Sequence, residues 1–284
     1  MKLEKTIKKA YFANGIAHAV DQLADQIIDW VVGSGSRGGV VGLSGGIDST
    51  TVAYLTKFAF DKYNSTRPEE DHLTLYGMML PSKVNDRADV EDGQRVADYL
   101  GIESKVVPIE PIADSFKQSM PYAFEDKEEW HTGNLYSETR AVVLSRFAAS
   151  QDCLVMGTGN KDEDYGLGYF TKRGDGAVDN NVLGSLSKRL VRQVAQFLAV
   201  PEDLVKRTST AGLWEDQTDE GELGYGYDVA EAVMNGLDQG FSPEEIVDIT
   251  GYGKDTVQDV MYRHESTRHK RNVPPVAEVS LAYE

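Results

Sequence analysis

The run Leu43-Ser-Gly-Gly-Ile-Asp-Ser49 gathers hydroxyls, a carboxylate and a glycine pair into one short stretch. The apolar residues Val40 to Leu43 before it, including Gly42, read as a buried parallel strand, the Ser44-Gly45-Gly46 corner as a tight turn, and residues 50–60 as the helix that leaves it. Glycines let the backbone approach an anion closely, several N–H groups converge on it, and the helix adds the positive end of its dipole. Such a corner predicts a nucleotide phosphate as ligand. No lysine follows the glycines, so this is neither the G-x-x-x-x-G-K-[ST] loop nor G-x-G-x-x-G. A Gly-Gly corner can also be a bare turn; the apolar strand, the hydroxyls and the acid together argue for the anion site.

The corner resembles the S-G-G-x-D-S loop of the ATP pyrophosphatases, enzymes that cut ATP between its α and β phosphates. The resemblance implies that Ser44, Ser49 and the loop N–H groups hold the departing pyrophosphate. It also implies Mg²⁺ at Asp48, since this hard cation prefers carboxylate and phosphate oxygens. A second block runs from Val155 to Asp179, and in it a strand again ends in glycines and a hydroxyl, Gly157-Thr158-Gly159. It then continues as a long polar segment rather than a helix. Glu163 in this segment offers a carboxylate to a metal already held by Asp48; taken alone it reads as a surface acid, and the glycines around it argue otherwise. Lys172 and Arg173 bring positive charge to an acidic chain. A third block, Lys206 to Glu220, has few periodic apolar residues and reads as a lid or binding loop, as does 82–87. The basic cluster Arg268-His269-Lys270-Arg271 is either a solvated helix end or a clamp on a pyrophosphate.

The rest of the chain must position these blocks. Ile16, Val20, Leu23, Ile27 and Val31 recur at helical spacing. A second strand is expected at 73–80, closed by Pro81, then a helix at 89–100 and a third strand at 105–109. Residues 122–131 read as loop, 133–150 as a helix and 152–156 as a core strand. A short helix opens at Ser242-Pro243-Glu244-Glu245, a last one covers 255–263, and the tail from Pro274 reads as irregular. This alternation predicts an α/β fold, a doubly wound and mostly parallel sheet flanked by helices. One domain over 1–284 is expected, with a helical C-terminal portion from about 227. With 284 residues there is ample core, and the net charge of −17 argues against a nucleic-acid partner. It fits a salty milieu as well. The single cysteine, Cys153, excludes a disulfide within one chain and any Cys-rich zinc or iron–sulfur site, and its apolar neighbours make it a core residue. The absence of a signal peptide or an apolar run of spanning length predicts a cytoplasmic protein with no membrane contact.

Taken together the blocks resemble the ammonia-dependent NAD synthetases, and the resemblance covers most of the chain. It is carried by the first corner, by Gly157-Thr-Gly-Asn-Lys161, by Gly168-Tyr-Phe-Thr-Lys-Arg-Gly-Asp-Gly176, by Thr210-Ala-Gly-Leu-Trp214 with Gln217-Thr-Asp-Glu220, and by His269-Lys-Arg271. The first motif is common to many ATP pyrophosphatases; the Tyr169-Phe-Thr-Lys-Arg-Gly-Asp-Gly176 run followed by Ala211-Gly-Leu-Trp214 is specific. The family implies ATP-dependent amidation of deamido-NAD by free ammonia through an adenylated carboxylate. It implies ATP contacts at residues 42–49 and at Thr158, Lys188 and Thr210, with metal ligands at Asp48 and Glu163. Deamido-NAD contacts follow at Lys172, Asp179, His269 and Lys270, in a homodimer that shares the dinucleotide site across its interface. The loop N–H groups, Lys188 and the Mg²⁺ held by Asp48 would neutralise charge at the breaking bond, while Asp175 either orients or deprotonates ammonium or only shapes a Gly-Asp-Gly turn.

One departure stands out. Where the family usually reads Gly-Asn followed by Lys-Ala-Arg-x-Arg, this chain has Gly133-Asn-Leu-Tyr-Ser-Glu-Thr-Arg140. Glu138 takes the place of the first arginine and Arg140 that of the second; either Arg140 makes the substrate contact or the pocket differs. No glutaminase region precedes the first helix, so ammonia is expected free or from a separate glutaminase. Two rival readings are an ATP pyrophosphatase that amidates another carboxylate, and a non-catalytic nucleotide-binding regulator on the same fold, which would leave the second and third blocks unexplained.

Overall fold

The computed structural model describes residues 5–85, 87–207 and 218–281. Helix α1 (Ile16–Gly33) buries Val20, Ala24, Ile27 and Val31 along one stripe and leads into β1 (Gly38–Gly42). Because successive strand residues face opposite ways, the neighbours Val40 and Val41 enter two different apolar cores, each fully buried. Helix α2 (Ile47–Asn64) follows β1, then β2 (Thr74–Met79), α3 (Arg87–Leu100), β3 (Glu103–Val106), α4 (Glu110–Ser119) and α5 (Glu128–Ser150). The second half adds β4 (Leu154–Asn160), a π-helical turn (Lys161–Leu167), β5 (Asn180–Leu183), α6 (Lys188–Phe197) and α7 (Glu202–Val205). Helices α8 (Asp219–Leu223), α9 (Tyr227–Asp238), α10 (Pro243–Thr250), α11 (Lys254–Ser266) and α12 (Arg268–Arg271) complete it.

Among the described residues the strands form one five-stranded sheet in the order β3-β2-β1-β4-β5, and every pairing is parallel. Helices α1, α2 and α6 cover one face, and α4 with α5 the other. The chain leaves β1 toward β2 and later returns on its other side as β4. The carboxyl ends of β1 and β4 therefore border the crevice where doubly wound sheets bind ligands. A third apolar cluster joins α9, α10 and α11 to Leu167 at the end of the π turn, so the C-terminal helices brace the turn from outside the sheet.

Three expectations are corrected. Residues 122–131 are not all loop: Pro121–Phe124 is a 3₁₀ turn and α5 already begins at Glu128. Tertiary burial of Thr132 and Gly133 extends this helix past its weak local signal. The third strand is set earlier than 105–109, although Val107 N–H still donates to Met79 O at 2.9 Å and Ile109 N–H to Pro81 O at 3.0 Å. The polar segment after β4 is not a plain loop either, because Asn160 caps it into the π turn through bonds from the N–H groups of Asp162 and Glu163.

Gly168 closes that turn with φ near +59°, and a β-carbon there would lie 2.0 Å from Thr267 Oγ1. Side chains are disfavoured in this backbone region by about 1–2 kcal/mol before any clash is counted. Gly168→Ala is expected to destabilise the protein by about 2 kcal/mol or more, measured by urea unfolding followed through tryptophan fluorescence.

Candidate functional site

A cavity of about 640 Å³ opens at the carboxyl ends of β1 and β4. Its floor is the corner between β1 and α2. Gly45 turns the chain with φ +75°, and Gly46 caps α2 in extended geometry. The two hydroxyls stiffen the corner: Ser44 Oγ and Ser49 Oγ are 3.0 Å apart, Gly46 N–H donates to Ser44 Oγ at 3.3 Å, and Ser49 Oγ donates to Gly46 O at 3.1 Å. Asp48 stands in the first turn of α2, where a helix dipole favours negative charge.

Lys188, the first residue of α6, crosses the floor to meet it. Its Nζ lies 2.5 Å from Asp48 Oδ2 and 2.7 Å from Glu163 Oε1, and only 3% of its side chain is exposed. An ammonium buried so deeply costs several kcal/mol unless it is paired. The two carboxylates raise its pKa against the opposing effect of burial, and the face of Tyr227 lies 5.1 Å from Nζ. Asp48 is shifted upward by burial, with Lys188 pulling it back. The backbone beneath is fixed by a further acid: Asp162 Oδ2 accepts from Lys188 N–H at 2.8 Å. Burial lifts that carboxyl to about 7.

The walls carry the remaining charge. Asp175 opens onto the cavity; its Oδ1 accepts from Ser137 Oγ and from Thr171 N–H, both at 2.8 Å. Asp164 also lines the cavity, its carboxyl held well above the usual range by burial and by Glu163 and Asp175. Arg140 donates to Leu80 O at 3.1 Å, Asn85 Oδ1 at 2.8 Å and Ser82 Oγ at 3.4 Å, tying α5 to the loop after β2. Lys270 donates to Gly168 O at 2.9 Å and Phe170 O at 2.6 Å. Lys172 returns the gesture to His269 O and to Asn272 O. The two lysines thus clasp α12 to the loop that follows the π turn.

Of the residues singled out from sequence, Gly42, Leu43, Ser44, Gly46, Ile47, Asp48, Ser49, Arg140, Thr158, Glu163, Asp175, Lys188 and Lys270 line the cavity. Gly45 turns away from it and packs against α3 and Arg207. Lys172, Asp179 and His269 stand off the lining. Asp179 Oδ2 instead accepts from Val155 N–H at 2.7 Å, a staple on the sheet. Thr210, with the rest of 208–217, lies outside the described residues. Glu138 faces solvent on α5 while Arg140 points inward, so the structure brings only the second of these two residues to the site.

Several residues of the site were not anticipated. Asn160 is a lone amide at the end of β4 and Asp162 lies in the π turn, so neither stands in a strand or helix repeat that would have flagged it. Ser137 and Tyr227 carry no local signal at all. Arg207 donates to Gly45 O at 3.0 Å and to Asp92 Oδ2 at 2.8 Å, and also meets Asp89, which pins the phosphate corner to α3. Among the described residues no group of three or more His, Cys, Asp or Glu side chains is gathered for a metal.

Comparison with known proteins points the same way. The family model described as NAD synthase matches residues 19–274. The NH(3)-dependent NAD(+) synthetase of Halobacterium salinarum is 40% identical over 269 residues, spanning 93% of this chain and 94% of its own. The structure of an NMN synthetase from Francisella tularensis superposes with a TM-score of 0.78 at 27% identity, covering 93% of this chain and 99% of that one. An NH3-dependent NAD synthetase from Campylobacter jejuni gives 0.73 at 26% identity, with the same coverage.

The buried Asp162 generates a pH prediction. An ordinary aspartate titrates near 4, whereas here the folded value is about 7. The folded state therefore holds the proton more tightly, and stability present at low pH is lost as pH rises between those values, by an amount on the order of 4 kcal/mol. Asp162→Asn keeps an acceptor for Lys188 N–H and removes the titration. Urea unfolding at pH 5 and pH 8 should show the variant gaining stability relative to the parent at the higher pH; an equal difference at both would contradict the assignment.

Proposed function

This chain belongs to the NAD synthase family, and from that premise we propose that it amidates deamido-NAD with free ammonia, at the expense of ATP, giving NAD⁺, AMP and pyrophosphate. The observation that carries the reading is the convergence of Asp48, Glu163 and Lys188 on the phosphate corner, inside a cavity with room for nucleotide.

The donor set fits Mg²⁺. This ion takes one or two carboxylates and fills its shell with phosphate oxygens and water, and Asp48 and Glu163 are two carboxylates already held on one cation. When bound, the ion would neutralise phosphate charge and orient the oxygens at the bond to be broken. Everything else falls to the protein. The nicotinic acid carboxylate is already an anion at neutral pH, so its attack on the α phosphorus requires no base. The corner N–H groups and Lys188 take up the charge that moves onto pyrophosphate as the P–O bond breaks. Ammonia then attacks the carbonyl carbon of the acyl adenylate, AMP departs with the C–O bond electrons, and the nitrogen releases one proton to water to leave the neutral amide. Asp175, open to the cavity and oriented by Ser137, receives a proton from incoming ammonium.

Arg140 is assigned to the substrate's anionic end. Among the described residues every acceptor it meets is neutral, a carbonyl, a hydroxyl and an amide, so its positive charge remains available inside the cavity. Lys270 is assigned a dinucleotide contact on the same ground. Lys172, Asp179 and His269, off the cavity, suit a dinucleotide site completed by a second copy, and we propose a homodimer. No helix among the described residues is long and apolar enough to cross a membrane; a cytoplasmic location accords with ATP as co-substrate, and a separate glutaminase remains a compatible ammonia source.

Purified protein with ATP, Mg²⁺, deamido-NAD and ammonium should form NAD⁺, AMP and pyrophosphate in equal amounts. The mononucleotide nicotinic acid substrate is the control, since one similar structure is an NMN synthetase; a higher kcat/KM for it would move the assignment to that substrate. Asp48→Asn and Glu163→Gln should each lower kcat by about 100-fold or more, as loss of an aligned charge at the reacting centre does. Arg140→Gln keeps a donor for the loop but removes the charge, and should raise the KM for deamido-NAD by about tenfold, equivalent to about 1.4 kcal/mol. An unchanged KM would assign the carboxylate or phosphate to another residue.

A further inference from the structure

Asn160 is completely buried and does not line the cavity, yet it touches both predicted metal-binding elements. Its Nδ2 donates to Asp48 Oδ1 at 3.2 Å, across 112 residues of sequence. Its Oδ1 accepts from Asp162 N–H at 3.0 Å and from Glu163 N–H at 3.1 Å. An asparagine amide presents donors on one side and an acceptor on the other, and here the network fixes which is which. Flipping it would set the NH₂ against two N–H groups and the oxygen against a carboxylate.

The neighbouring residues rivet the same turn. Lys161 N–H donates to Leu186 O at 2.8 Å, and Asp162 Oδ2 accepts from Lys188 N–H at 2.8 Å. Those bonds fix the path of the chain, but neither reaches α2. Besides the ammonium of Lys188, which meets both carboxylates from α6, Asn160 links the turn to α2 from within the turn's own cap, since its one planar group bonds to the carboxylate of Asp48 and to the N–H of Glu163. The remaining Asp48 oxygen, Oδ2, meets Lys188 Nζ, the same ammonium that Glu163 Oε1 meets. A π turn is also a poor structure to leave uncapped, because its widened helix has less internal support than an α-helical turn.

We propose that Asn160 is a positioning residue that sets the spacing and orientation of Asp48 and Glu163 for a divalent cation. The inference rests on the metal reading given above. It requires an amide rather than any polar group. A serine caps helical N–H groups about as well as asparagine but is too short to reach Asp48. An aspartate keeps the acceptor and sets a second negative charge against Asp48.

The test is calorimetric binding of α,β-methylene-ATP, which cannot be cleaved at the α–β position, with Mg²⁺ and with EDTA. The ratio of the two affinities reports the contribution of the metal without turnover. The parent protein should bind more tightly with Mg²⁺; a ratio of one would remove the metal reading itself, and this proposal with it. Asn160→Ser should lower the ratio at least fivefold, leaving the affinity in EDTA within twofold and the KM for deamido-NAD unchanged. A parent-like ratio in the folded variant, with the parent ratio above one, would overturn the positioning role alone. Should the serine variant fail to fold, Asn160→Asp carries the same test: loss of the ratio is expected, and a retained or increased ratio would refute the proposal.

Discussion

The ammonium of Lys188 is the constraint on which the rest depends. Buried and positive, it has to be met by negative charge, and the two carboxylates that meet it belong to α2 and to the π turn. These elements follow β1 and β4, while α6 follows β5. One side-chain contact therefore demands that β1, β4 and β5 lie side by side, and the sheet order supplies that arrangement. The contact also leaves a net negative charge at the floor. A nucleoside triphosphate brought to the same corner would add more, which is the electrostatic argument behind the divalent cation proposed above.

How far sequence could lead depended on how local the signal was. The Ser44 to Ser49 corner was legible because a short loop carries its own geometry: glycine for the turn, hydroxyls for the corner, an acid in the first turn of a helix. The alternation of strands and helices likewise gave the parallel sheet. The π turn was not legible, since its repeat matches neither the helical nor the strand period and its cap, Asn160, is a single residue at the end of a strand. Ser137 lies in a helix of unremarkable periodicity and becomes meaningful only where the Gly174-Asp175 turn packs onto it. A β-carbon on Gly174 would in fact lie 2.0 Å from Ser137 Oγ. Contacts across 38 residues, as between Ser137 and Asp175, are set by packing and leave no trace in spacing.

The C-terminal helices show the same division. The start of α10 was readable from Ser242 to Glu245, and the structure contains the full capping box there. What those helices do was less accessible. Leu167 enters their apolar cluster, and Lys270 and Lys172 exchange bonds to carbonyls on opposite sides of the junction. The basic run at 268–271 is thus more than a bare helix end: its single lysine, Lys270, is part of the fold and of the cavity wall together.

The cations around the cavity fall into two classes by the partners they keep. Lys188 and Arg207 are held by carboxylates, two each, and their charge is more than offset before any ligand arrives. Arg140 and Lys270 are held by carbonyl, hydroxyl and amide oxygens, which orient the side chain without cancelling its charge. A neutral acceptor is the means by which an acidic protein can fix a cation and still leave its field for an anion. Cations of the first kind organise the acids of the corner. Those of the second kind keep their positive field, and in a chain of net charge −17 their placement on the cavity wall concentrates the scarce positive potential there, which is the electrostatic basis of the substrate contacts proposed above.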